Sequence, residues 1–305
     1  MIECIGNTPL IELRRVVPDG CARVLAKLES QNPTGSMKDR MALSVVDRAL
    51  ESGRLTTGGT VVEYTGGSTG TSLAVVCAAY GIDISLVTSD AFSREKRDHM
   101  RALGANVVEV PSDSGRITKQ LIEEMMRVAA DLSAAPGAFF ADQFNNVDAI
   151  AGYRPLAEEA WRQSGARIDA FVHSVGTAHS IAGVGEVLRA RNPKLQVVAV
   201  EPAESPVLSG GEPGAHRIEG VGPGFVPPLW RDDIADEIAQ VTTDEAMQMC
   251  RRLAQEEAVF VGTSSGANVV AALREAERLG GGRAVLTILC DSGMKYLSTE
   301  LYATS

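Results

Sequence analysis

The chain has 305 residues, 45% hydrophobic and 22% charged, and 39 acidic against 29 basic side chains leave a formal net charge of −10. A length of this order buries a substantial core without disulfides or structural metals, and average composition excludes wholesale disorder. A pI near 5.0 argues against nucleic acid or an anionic membrane as partner, while leaving open a small anion held in one local pocket.

Short β-branched runs alternate with helix-period segments from end to end. In chain order the spacing predicts strands at 24–28, 60–64, 84–88, 106–110, 138–141, 170–173, 195–200 and 284–289. Helices are predicted at 36–52, 71–81, 93–103, 117–132, 149–163, 181–191, 243–256 and 264–279. The first of these places Met41, Ala42, Val45, Val46, Ala49 and Leu50 on one stripe. Such alternation predicts an α/β chain of parallel sheets with helices on both faces, and the length suggests two domains. Residues 205–228, dense in Gly and Pro, read as a long loop.

Five scattered cysteines without a CxxC pair predict reduced thiols in a cytoplasmic protein. The N-terminal MIECIGNTPL lacks the basic and apolar regions of a secretory signal. The longest uncharged stretch, 64–82, carries too many glycines and hydroxyl residues for a membrane span. Four histidines, His99, His173, His179 and His216, show no metal-ligand spacing, so no metal is expected. GxGxxG after a first strand, GxxxxGK[ST] and GxSxG are all absent, which weakens dinucleotide, P-loop and α/β-hydrolase readings.

Three joints rich in Gly, Ser and Thr precede predicted helices: Thr65-Gly66-Gly67-Ser68-Thr69-Gly70, Gly176-Thr177-Ala178-His179-Ser180 and Gly262-Thr263-Ser264-Ser265-Gly266. Small residues let backbone N–H groups approach a ligand, and helix N-termini favour anions. Lys38, in NPTGSMKDR with Ser36 as the expected N-cap, falls in a first helical turn. There the macrodipole disfavours an ammonium and eases formation of the free amine that Schiff-base chemistry needs. The plain alternative is that Asp39 offsets the charge and Lys38 faces water. Lys27, Lys96, Lys119, Lys194 and Lys295 read more simply as solvated or structural.

Together these motifs make the chain resemble the fold-type-II pyridoxal-phosphate enzymes of the cysteine synthase and cystathionine β-synthase group. The resemblance runs nearly end to end through IGNTPLIEL, AKLESQNPTGSMKDR, EYTGGSTGTSLA, REKRDHMRALGANVVEV, ADQFNN, SVGTAHSIAGVGEVL, HRIEGVGPGFVPPLW, VGTSSGANVVAAL and YLST. It implies two doubly wound α/β domains with parallel sheets, a smaller one of residues 1–12 and 35–145 and a larger one of 13–34 and 146–305. It implies pyridoxal 5'-phosphate bound through Lys38, the catalytic lysine. Ser68, Gly176, Thr177, Ala178, His179, Ser180 and Ser264 are implied as further cofactor residues, the turn 176–180 cradling the phosphate and Ser264 facing the pyridine nitrogen. Thr65, Gly66, Gly67, Ser68, Thr69, Gln143 and Gly220 are implied around the substrate.

The implied reaction is β-replacement on an O-activated serine through an α-aminoacrylate, with sulfide giving L-cysteine. The alternatives are β-elimination of the dehydratase or desulfhydrase type, or replacement by another nucleophile such as homocysteine or an amine. Partners are then a small amino acid and a small nucleophile, and a homodimer is the family expectation. Departures bear on the substrate. Ser68 stands for the usual Asn and Gly66 for the usual Ser of a T-S-G-N-T loop. Gly-Thr-Ala-His-Ser replaces a GTGGT cradle, and Met37 stands where a smaller residue is commoner. Arg116, Lys119 and Arg217 lie near segments that shape the entrance and suit an anionic leaving group.

Overall fold

The computed structural model describes residues 1–115 and 118–303, without the side chain of Lys119. Its strands are β1 (Leu10–Leu13), β2 (Arg23–Leu28), β3 (Thr60–Tyr64), β4 (Asp83–Ser89), β5 (Asn106–Val110), β6 (Ala138–Phe140), β7 (Ala170–Ser174), β8 (Gln196–Pro202), β9 (Glu237–Val241) and β10 (Ala284–Leu289). Its helices are α1 (Lys38–Glu51), α2 (Ser68–Tyr80), α3 (Arg94–Ala102), α4 (Lys119–Ser133), α5 (Asp148–Ala151), α6 (Arg154–Gln163), α7 (His179–Arg191), α8 (Thr243–Glu256) and α9 (Thr263–Leu279). The chain falls into two compact units, Met1–Ile5 with Lys38–Gly152 and Gly6–Met37 with Tyr153–Ser305.

The smaller unit carries a parallel sheet in the order β5-β4-β3-β6. Chain order runs outward from β3 through β4 to β5, then returns to β6 on the other side. The point where this direction reverses, between the carboxyl ends of β3 and β6, is the crevice in which open α/β sheets bind ligands. Val62, Tyr64, Val87, Val110, Leu121, Met125 and Ala129 form an apolar core between sheet and α4. Helix α1 buries Met41, Ala42, Val45, Val46 and Ala49 of its predicted stripe, and Leu50 is half-buried. Helix α4 starts at Thr118, whose side chain accepts the Leu121 N–H at 3.2 Å and satisfies one orphan donor of the first turn.

The larger unit carries the order β1-β2-β10-β7-β8-β9, parallel except for β1, which runs antiparallel to β2. Its reversal point lies between β7 and β10. Helix α9, flanked by these strands, contributes Ala267, Val269, Ala271, Ala272 and Ala276 to the core of this unit. Helix α8 starts with a capping box, Thr242 with Glu245, which satisfies donors on both residues.

The observed units differ from the expected boundaries for local reasons. Residues 6–12 join the larger unit because Leu10–Leu13 pairs with β2. Residues 146–152 join the smaller one, where Ser44 Oγ donates to the Asp148 carbonyl at 2.7 Å and Gly152 lies too close to the Arg40 carbonyl for any Cβ. The helix predicted at 149–163 is split into α5 and α6. Pro155, in the first turn of α6, has no N–H to continue the α5 ladder. Ser36, the expected N-cap, pairs with Asp291 in an isolated antiparallel bridge, and α1 itself begins at Lys38. Among the described residues, no helix is long and apolar enough to cross a membrane, and no His, Cys, Asp or Glu group is arranged for a metal.

Candidate active site

In the smaller unit, the predicted substrate loop occupies the reversal point of the sheet. Thr65 follows β3, and its Oγ1 accepts the N–H groups of Gly67 at 2.9 Å and Gly70 at 3.1 Å, which folds the loop into the start of α2. Gln143 follows β6 and closes the crevice. Thr69 Oγ1 donates to Gln143 Oε1 at 2.8 Å, and Gln143 Nε2 donates to the Tyr64 carbonyl at 2.9 Å. The structure therefore brings Thr65, Thr69 and Gln143 together across 74 residues of chain.

The loop glycines are explained by what lies against them. A Cβ at Gly66 would stand 2.9 Å from the Phe92 ring, so the space of the usual serine side chain is filled by an aromatic edge. Gly67 has φ of 138°, a region closed to other residues, and a Cβ there would run into the Lys96 stem. Lys96 is thus not solvated: it is 6% exposed, its methylenes laid on Gly67. Its charge-rich helix gave no sign of this.

Behind Gln143 lies Glu63, fully buried on β3. Its Oε1 accepts the Tyr64 N–H and its Oε2 the Gln143 N–H, both at 2.9 Å. Burial pushes this carboxyl well above the ordinary range, against the pull of the two N–H donors and with a small push from Asp142. Because its pKa is raised on folding, Glu63 contributes full stability below the ordinary carboxylate range and loses it as pH rises towards the folded value. Urea unfolding of the wild type and of Glu63→Gln should show the wild type losing ground as pH rises, by at most about 1.4 kcal/mol per unit. A gap between the two that stays constant with pH would refute this.

Lys38 is the first residue of α1 and half-buried. The neighbouring Asp39 carboxylate is turned to α2, where Ser72 Oγ donates to its Oδ1 at 2.6 Å. Asp39 is therefore tied into the α1–α2 packing.

In the larger unit, residues 176–180 form the turn between β7 and α7, again at the reversal point of the sheet. Gly176 packs so tightly on the Gly220 carbonyl oxygen that no Cβ fits. Ala178 adopts φ of 69°, a left-handed conformation normally left to glycine, directly before α7. His179 is fully buried, and its Nδ1 pairs with Thr177 Oγ1 at 2.8 Å. The first N–H groups of α7 have no acceptor within the helix. With the hydroxyls of Thr177 and Ser180, both buried, they form a donor set suited to a phosphate.

Gly220 belongs to a segment stitched to the same turn. Gly222 N–H donates to the Val175 carbonyl at 3.0 Å, and Glu219 N–H donates to Thr263 Oγ1 at 2.9 Å. That second bond reaches the first turn of α9, where Ser264 is buried. Arg217 is half-exposed and paired with Glu300 at 2.8 Å, on the outside of this segment. Arg116 lies outside the described residues.

Two further buried residues went unassigned in the sequence, His173 on β7 and Asn268 on α9. Only the fold brings them together, so no local pattern could have found them.

Comparison with known proteins gives the family. The family model described as pyridoxal-phosphate dependent enzyme matches residues 2–291. A cysteine synthase of Staphylococcus aureus (strain N315) is 42% identical over 303 residues, covering 99% of this chain and 96% of the relative. The crystal structure of cysteine synthase from Entamoeba histolytica superposes with a TM-score of 0.92 at 34% identity, covering 100% of this chain and 90% of the other. That of an O-ureido-L-serine synthase gives the same TM-score of 0.92 at 39% identity, covering 99% and 94%. With a phosphate-suited turn, a lysine at a helix start and a match along almost its whole length, this chain belongs to the family of pyridoxal-phosphate-dependent enzymes.

Proposed function

We propose that the chain makes L-cysteine from an O-activated serine, O-acetylserine or a close analogue, and sulfide. The observation that carries the reading is the loop closed by the Thr69–Gln143 hydrogen bond at the sheet's reversal point, with Lys38 at a helix start in the same unit. The cofactor residues present fit their group. Thr177, Ser180 and the α7 N–H groups are donors for a phosphate dianion, and the bare Gly176 lets backbone come close. Ser264 supplies a neutral hydroxyl for the pyridine nitrogen.

The cofactor, once bound through Lys38, supplies the electron sink that acidifies the substrate Cα–H. The chain's own residues do the rest. The loop 65–69 with Gln143 holds the substrate carboxylate through N–H and hydroxyl donors. The Lys38 amine, freed when the substrate amine takes its place, takes the proton from Cα, the β-substituent departs with its electron pair, and the nucleophile adds at Cβ. Lys38 then returns the proton to Cα. A neutral serine at the pyridine nitrogen keeps electron withdrawal moderate, which suits expulsion of a β-leaving group.

Incubation with O-acetylserine and sulfide should give cysteine and acetate in equal amounts, with pyruvate a minor product. Pyruvate and ammonia formed at the same rate with and without sulfide would replace this reading by β-elimination. The Phe92 ring on Gly66 favours one second reading, a nucleophile other than sulfide, because it fills space beside the loop expected to hold the substrate. Competition of homocysteine or an amine with sulfide, read by product mass, separates the two. Acidic composition and free thiols at Cys4, Cys21, Cys77, Cys250 and Cys290 fit a cytoplasmic enzyme, and we place it there as a homodimer.

A further inference from the structure

At the reversal point of the larger sheet, β7 and β10 pair through Val172 and Thr287 and then separate. Asn268 fills the gap. Its Oδ1 accepts the Ser174 N–H at 2.7 Å, and its Nδ2 donates to the Ile288 carbonyl at 2.8 Å. These two backbone partners are of opposite kinds, so the amide has one orientation only. Its remaining hydrogen, shared with Cys290 Sγ at 3.4 Å, reaches His173 Nδ1 at 3.2 Å. An amide nitrogen only donates, so His173 Nδ1 must accept, and the ring proton sits on Nε2. That proton meets Ser180 Oγ at 2.8 Å. Phe171, stacked on the ring at 5.8 Å and 18°, holds its plane.

We propose that His173 is a positioning residue for the cofactor phosphate. Locked by Asn268 as the Nε2–H tautomer, it donates to Ser180 and so leaves the Ser180 proton to be given to the phosphate. At Ser180 the cradle then presents a donor, which favours the fully ionised phosphate. All the residues involved, His173, Ser174, Ser180, Asn268 and Ile288, belong to the larger unit. The inference rests on the reading of 176–180 as the phosphate cradle.

The test uses the holoenzyme labelled with 15N-histidine. Long-range proton–nitrogen correlation, with His173 assigned by its loss in His173→Gln, should show an unprotonated Nδ1 and a protonated Nε2. His173→Leu should release the cofactor roughly tenfold faster than wild type, and His173→Gln, which keeps an N–H near the Nε2 position, within roughly threefold. In a Ser180→Ala background, His173→Leu should add nothing, because its effect passes through Ser180. A proton on Nδ1, or a His173→Leu effect undiminished in Ser180→Ala, overturns the proposal. The tautomer is read in the wild type, and should His173→Gln fail to fold, replacing His99, His179 and His216 in turn assigns the His173 signals by elimination. Ser180→Ala holoenzyme that keeps its cofactor at the wild-type rate overturns the cradle itself, a failure distinguishable from a wrong tautomer.

Discussion

Lys38→Ala holoprotein is expected to lose turnover by roughly 10³-fold or more, the scale of removing a proton-transfer group from the reacting carbon. Borohydride reduction followed by peptide mapping should label the wild type within its Lys38 peptide and leave Lys38→Ala unlabelled. The chain offers six lysines, and the structure bears on Lys27, Lys194 and Lys96 as rivals of Lys38. Lys27 is fully buried and committed, with Glu159 at 2.8 Å, the Thr8 carbonyl at 2.5 Å and Gln163 at 2.9 Å around its ammonium. A charge so paired gains nothing by becoming a free amine. Lys194 stands exposed in a turn. Lys96 lies against Gly67, in the loop expected to hold the substrate. Label found on Lys96, or wild-type turnover in Lys38→Ala, would remove the assignment. Lys38→Ala apoprotein should keep the wild-type apoprotein's unfolding free energy in urea to within about 0.5 kcal/mol, since a half-buried side chain at a helix start contributes little to packing.

The sheets and the three glycine-rich joints were legible because central parallel strands read as short apolar runs, and the joints follow them at fixed places. Leu10–Leu13 and Glu237–Val241 were not. Both are edge strands of four and five residues whose side chains are mostly half-buried or exposed, so neither shows a run or a clear alternation. Lys38 stood out by its place in a helix start, a local feature. Lys96 did not, because its burial comes from the missing side chain of Gly67, 29 positions earlier by sequence number. His173 is further still from recognition. It follows three apolar residues in its strand, and the residue that fixes its tautomer lies 95 positions away.

Gly176→Ala is expected to be the most damaging one-carbon change in the cradle. Gly176 is not at positive φ, so the requirement is for space rather than for a special backbone angle. The atom in the way is the Gly220 carbonyl oxygen, and backbone yields less readily than a side chain end. Nor is Gly220 free to retreat, because Gly222 N–H holds the Val175 carbonyl at 3.0 Å and Glu219 N–H holds Thr263 Oγ1 at 2.9 Å. The added methyl must therefore open the turn itself or break this stitching to α9, at a cost of about 1–3 kcal/mol. Opening the turn also spreads the donors of 177–180, so cofactor should leave the holoenzyme at least roughly tenfold faster, the loss of about one charge-assisted hydrogen bond. Gly185→Ala supplies the contrast within the same helix. A Cβ there stands 3.8 Å from Val197, an ordinary contact, and removing a mid-helix glycine should stabilise by about 0.5–1 kcal/mol. Thermal unfolding of the two holoproteins should move in opposite directions. If Gly176→Ala instead melts with the wild type and keeps its cofactor, the turn is not the rigid cradle that the packing of Gly176 on Gly220 describes.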